Sequence, residues 1–265
     1  NMTHNTNNIA IGHNALTNLA GSGAIYNTFI GSDAGLSLTS ADYNTGVGVG
    51  VMGESAGNAI TGLYNSGFGA LALYNLAGAA SSNTAIGYKA GFQSTTASGS
   101  VFLGFTAGET VTTGNQNIAI GHNAINGGTV TGDNNIAIGV SAGDALTSGN
   151  SNVLMGKDAG GAINSGDRSV AVGHEAGAGQ TTGYLNTFVG YQAAKVNNGT
   201  SNTVIGARAL GSADAGEANN VIIGGDAGAS INHDDADNNV IIGQDAGVGG
   251  AAAMSSCVII GQGAN

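Results

Sequence analysis

The side chains of this chain that could do chemistry gather at one recurrent place, the residue that follows a repeated glycine. His13, Tyr88, Phe105, His122, Lys157, His174 and Tyr191 occupy it, with Gln244 and Gln262 further on. Aromatic and polar groups carried on a rigid ladder suit carbohydrate recognition, so these residues form a candidate receptor-facing stripe. The plainer reading, which the pattern favours, is a column that fills the gap between neighbouring chains. The next position is often acidic, at Asp33, Asp158, Glu175, Asp226 and Asp245. Aligned carboxylates can share cations, but calcium wants about six to eight oxygen ligands and solvated faces account for most such residues. The densest acidic run, His233 to Asp237, reads as a charged return loop. Under threefold association His122 and His174 would each bring three imidazoles to an axis, which suits a metal but which nothing in the pattern requires. The expectation is therefore no metal site and no cofactor.

Catalysis finds no footing. The chain shows no nucleophile beside its base, no acid pair in a cleft and no phosphate-cradling glycine loop leading into a helix. The spacing of Ile118, Ala124, Val130 and Ile136 by six matches hexapeptide acyltransferases, but most of the chain breaks it. An enzyme is not expected. A formal charge of −11 with five Lys and Arg residues opposes nucleic acid, which demands clustered cations. No apolar run approaches the roughly 20 residues of a membrane span, so no membrane insertion by this segment is expected. Cys257 is the single cysteine; no intrachain disulfide can form, and its place suggests a buried structural thiol.

The elements that must carry these residues follow from a repeat. Asn186-Thr187-Phe188-Val189-Gly190-Tyr191-Gln192-Ala193 has counterparts throughout the chain, and its glycine recurs in fifteen units from Gly12 to Gly261. The mean step is about 18 residues, the kind of fixed period that marks a solenoid. Forty-nine glycines, no proline and 42% hydrophobic residues, mostly small or β-branched, predict a narrow core built of thin layers. The fold class expected is all-β, a parallel β-solenoid of about fifteen coils of 17–18 residues. The whole of 1–265 reads as one repeat domain. Because it begins at Asn1 and stops within a unit at Asn265, it reads as a segment of a longer fibre.

The residue after the repeated Asn is β-branched in every unit but one, where Ser66 stands, and the residue two further on is always bulky and apolar, as in Ile11, Phe68 and Met155. Two-residue alternation puts these on one face of a strand, which is expected to be the coil interior. The residue between them should be polar if it met water, and it never is. A strand apolar on both faces is buried on both faces, so the middle column is expected to form a subunit interface, with Phe29, Phe102, Leu154, Phe188, Val204, Ile222, Ile241 and Ile259 as its larger members. Val and Ile dominate that column late in the chain, which predicts tighter subunit packing from Val204 onward.

Ala follows three residues after the glycine in fourteen units, with Val51 the exception, and suits a tight inward corner. Turn formers such as Thr112-Thr113-Gly114-Asn115 mark the returns, and the longest step absorbs its extra length around Gly53 to Asn58. Asn opens twelve units, with Ser100, Ser169 and Cys257 in the others, and stacked Asn side chains predict a hydrogen-bonded ladder. At a strand spacing of about 4.8 Å such a solenoid would be a rod of roughly 70 Å.

Asn83-Thr84-Ala85-Ile86-Gly87-Tyr88-Lys89-Ala90-Gly91, Asn27 to Gly35 and Ser169 to Gly177 resemble the repeats of two related groups, bacteriophage tail fibres and the heads of trimeric autotransporter adhesins of the YadA type. The resemblance spans essentially the whole chain. It implies a left-handed parallel β-roll and a side-by-side homotrimer, outside the cell, on a virion tail fibre or a bacterial surface. It further implies a structural and host-attachment role, as fibre shaft or receptor-binding region, with a cell-surface glycan or protein as receptor. The period exceeds that of the adhesin heads, and no neck, stalk or anchor is present, which favours the tail fibre over the adhesin head; a self-assembling extracellular filament is the further alternative. An ice-binding solenoid is less favoured, because the threonines at 28, 45, 84, 187 and 203 form an interrupted column whose Val and Ile neighbours suggest an inward role.

Overall fold

The computed structural model describes residues 7–19, 24–53, 59–212, 216–231, 236–247 and 254–265. The chain is an all-β parallel solenoid with fifteen three-residue strands, one per repeat, and no helix among the described residues. Its residues fall into two compact units, 1–134 and 135–265. In the first, strands run from Ile9–Ile11 to Ile118–Ile120, each paired in parallel with the next. In the second they run from Ile136–Ile138 to Val258–Ile260 in the same manner. Equivalent positions lie opposite one another, so Phe102 faces Ala119 and Ala171 faces Phe188.

Each strand stops at its glycine for a backbone reason. Gly173 holds φ at +136°, and a Cβ there would stand 2.3 Å from the carbonyl oxygen of Gly190 in the next repeat. No L side chain meets both conditions. The same pair of conditions recurs in both units, for instance at Gly31, Gly87 and Gly206.

The faces of the strand are the reverse of those expected. The middle column is the coil interior: Phe29, Phe102, Leu154, Phe188, Val204, Ile222 and Ile241 are all fully buried within the single chain. Ile259, in the terminal strand, is half-buried. None of the fully buried seven can serve as a subunit interface, and the late Val and Ile residues fill the coil rather than tighten any contact between chains. The physical reason is volume. Phe102 reaches into space left by Ala85 and Ala119 on its neighbours, and a Cβ on Gly108 would sit 2.1 Å from its ring. Phe29 likewise occupies the space above Gly46, where a Cβ would stand 2.3 Å away. Large residues in a narrow core are thus accommodated by Ala and Gly one repeat away. The inner wall opposite is built from return-side residues such as Leu38, Leu76, Ile125, Leu146 and Ile163, all fully buried, and the corner alanines from Ala34 to Ala246 are buried beside them.

The β-branched and bulky columns point outward instead. Ile30, Phe68, Ile86, Leu103, Met155 and Ile205 are exposed large hydrophobics. The asparagine ladder forms as expected. Asn27 Oδ1 accepts from the backbone N–H of Asn44 at 2.9 Å, and Asn44 Oδ1 from that of Asn65 at 2.8 Å. Each Nδ2 donates to a carbonyl of the return, as Asn83 does to Ala97 at 2.8 Å and Asn152 to Gly166 at 2.7 Å. The column therefore ties neighbouring repeats together and fastens each return to its strand. Ser169 lacks that amide, and buried Gln180 supplies one, donating from Nε2 to Ser169 Oγ and to the Gly183 carbonyl.

Candidate functional site

The side chains available to a partner lie on the outer sheet face and along its two flanks. One flank is the stripe after the glycine. His13, Tyr88, Phe105, His122, Lys157 and Tyr191 are exposed there and His174 is half-buried. Because repeats stack in register, the rings stack too. Tyr88, Phe105 and His122 follow one another at centroid separations of 5.3 Å, and His174 lies 5.5 Å from Tyr191. Lys89 sits over the rings of Tyr88 and Phe92 at 5.7 and 5.1 Å, and its ion pair with Glu109 at 3.1 Å holds its ammonium above the usual lysine range.

The other flank was not anticipated. The residue before the ladder asparagine has a left-handed backbone, with φ of 60°, 58° and 61° at Tyr26, Tyr43 and Tyr64, and these three exposed tyrosines stack at 5.1 and 5.2 Å. The signal was visible as Tyr-Asn in three successive units. Tyr74 and Phe92 make a further stack at 5.2 Å.

In the second unit the stripe becomes polar. Lys157 pairs with Asp158 at 2.6 Å, Lys195 with Glu175 at 2.8 Å, and Arg208 forks onto Asp226 with two bonds of 2.7 Å. Three of the five cations of the chain are gathered here. The Arg208 guanidinium holds the Asp226 carboxyl below its ordinary range, and Lys195 with Gln192 does the same for Glu175. Burial and the neighbouring charge of Asp158 push Asp144 up. Gln192, Lys195, Arg208, Ser212 and Asp226 help to line an open cleft of about 160 Å³. Asp158, His174 and Glu175 converge so that one ligand atom from each lies within 4.8 Å of the others.

The acidic positions at Asp33, Asp158, Glu175, Asp226 and Asp245 have φ between 53° and 57°, a conformation in which short polar residues are better tolerated than most. Of the acidic run, 232–235 lies outside the described residues, as does the 54–58 part of the longest step; Asp237 accepts a bond from the backbone N–H of Ala218 at 2.7 Å. The threonines at 28, 45, 84, 187 and 203 are half-buried on the outward face, not inside the coil. Cys257 is half-buried, with its thiol 3.6 Å from the Ser255 carbonyl, rather than sealed in the core. No helix among the described residues is long and apolar enough to cross a membrane. No protein-family model matches the chain, and neither does any curated protein or solved structure.

Proposed function

We propose that the chain is a structural and host-attachment fibre protein, a homotrimeric tail-fibre shaft or receptor-binding region with the left-handed winding that its resemblance to fibre and adhesin repeats implies. The observation that carries this reading is the outward sheet face. Ile30, Phe68, Ile86, Leu103, Met155 and Ile205 are exposed on it, framed by the β-branched column. Phe68, Ile86 and Leu103 follow one another on adjacent strands, and exposed apolar runs of this kind mark association surfaces in soluble proteins. The ridge repeats with the period of the coil, so the partner that matches it throughout is another copy of the same chain. The flanking aromatic stacks remain for a cell-surface receptor, a glycan or a protein. The setting is extracellular, on a virion tail fibre; a bacterial adhesin head shares the same surface logic.

Light scattering of the purified chain over a range of dilutions tests the assembly, with binding of the same labelled sample to intact bacteria as the second readout. A stable threefold mass with saturable cell binding is the expected result. Open-ended assemblies would favour the self-assembling filament. A monomer would overturn the fibre reading.

A further inference from the structure

We propose that Asp158, His174 and Glu175 form a binding site for a first-row divalent cation such as zinc, complete within one chain. The fold brings the three together without any association. Asp158 and Glu175 occupy the same position of adjacent repeats, both with left-handed backbones at φ 56° and 55°, and the N–H of Glu175 bonds the carbonyl of Lys157 at 2.9 Å. His174 stands beside Glu175 in the outward stripe, its ring held against Tyr191.

Two observations beyond proximity point to a ligand. The first is His174 Nδ1, which is buried and has no hydrogen-bond partner. A buried ring nitrogen without a partner is costly, and coordination would provide what it lacks. The second is the way the carboxylates are held. Lys195 and Gln192 both engage Oε2 of Glu175, at 2.8 and 2.7 Å, and Lys157 engages Oδ2 of Asp158. Glu175 is oriented through one oxygen while its other has no partner among the described residues, the arrangement that outer-shell contacts give to metal ligands, and Asp158 likewise keeps one oxygen unengaged.

The donor set selects the ion. One imidazole and two carboxylates suit zinc and its first-row neighbours, whereas calcium requires more oxygens and disfavours nitrogen. Zinc with bonds of about 2.0–2.2 Å holds tetrahedral ligand atoms roughly 3.4 Å apart. From a spread of 4.8 Å the group must contract by little more than an ångström, within reach of side-chain rotation at partly exposed acids. The competing ammonium of Lys157 is on an exposed, water-screened pair. Three protein ligands leave a fourth position for water.

Calorimetric titration of zinc into the metal-free full chain tests the site, with cobalt(II) absorption as a direct report of nitrogen and oxygen ligation. One zinc per chain is expected, whatever the oligomeric state, so the result is independent of the fibre reading. His174→Gln and Asp158→Asn should each weaken binding at least tenfold with an unchanged circular dichroism spectrum. His122→Gln, in the same column of the other unit, should leave it intact, and Lys157→Ala should bind as tightly or more so. Absence of saturable zinc binding, equal binding by His174→Gln, loss with His122→Gln or weakening by Lys157→Ala would each overturn the proposal.

Discussion

Asn152 does four things at once, and each is a hydrogen bond in a buried place. Its N–H donates to Asn135 Oδ1 at 3.0 Å, its Oδ1 accepts from the Ser169 N–H at 2.9 Å, and its Nδ2 reaches both Asn135 Oδ1 and the Gly166 carbonyl. Truncation to Ala would leave the Ser169 N–H and the Gly166 carbonyl short of a partner, both in buried residues. An unsatisfied buried group costs about 1–3 kcal/mol, so Asn152→Ala is expected to destabilise by about 2–4 kcal/mol in chemical denaturation. Asn152→Ser should cost about half of that, because Ser100 in this column still accepts from the Asn117 N–H at 3.1 Å, which leaves only the Gly166 carbonyl without its donor. Equal losses for the two variants would mean that the ladder acts through packing rather than hydrogen bonds. At this scale the sequence was informative where one residue type recurs, as with the Asn column. It was silent on the meeting of Asp158, His174 and Glu175, because that depends on two left-handed residues one repeat apart aiming their side chains at a common point. The doublets Lys157-Asp158 and His174-Glu175 at equivalent positions were the available trace.

At the scale of the strand, the glycine sets the limit on substitution. Gly173 combines φ of +136° with a Cβ position 2.3 Å from the Gly190 carbonyl, whereas Gly225 has nothing within 4 Å. Gly173→Ala should therefore lose about 3 kcal/mol or more, and Gly225→Ala should stay within about 0.5 kcal/mol of the parent in the same thermal or denaturant experiment. A small effect at Gly173 would show that adjacent repeats can part at little cost. The strands themselves were readable to the residue, since β-branched, apolar and glycine positions recur in fixed order. Which face is inside was not readable from alternation, because both faces are apolar. Volume held the answer. The middle column swings between Phe102 and its Ala85 and Ala119 neighbours, while the outward column stays bulky in Ile86, Leu103 and Ile120. A closed, narrow core must compensate a large residue with small ones nearby; a surface ridge need not. From Val204 to Ile241 the middle residues are of similar medium size and fully buried, which satisfies the same constraint without alternation.

For the whole molecule, the argument for association survives the exchange of faces and becomes easier to test. Residues inside a coil cannot be charged without unfolding it, but Ile86 and Leu103, each 42% exposed, can. They lie opposite one another in paired strands, so changing both to Lys breaks the apolar ridge at two successive repeats. On the proposed trimer, the Ile86→Lys/Leu103→Lys variant is expected to keep the circular dichroism spectrum of the parent and to fall from threefold to single-chain mass. Lysine also tests an electrostatic alternative. Each chain carries a formal charge of −11, so association must overcome mutual repulsion, and two added cations per chain would promote assembly if charge governed it. Dissociation despite reduced repulsion would assign the association to the apolar ridge. A variant that stays trimeric would move the interface to one of the flanks, with the tyrosine stack of Tyr26, Tyr43 and Tyr64 the next surface to charge.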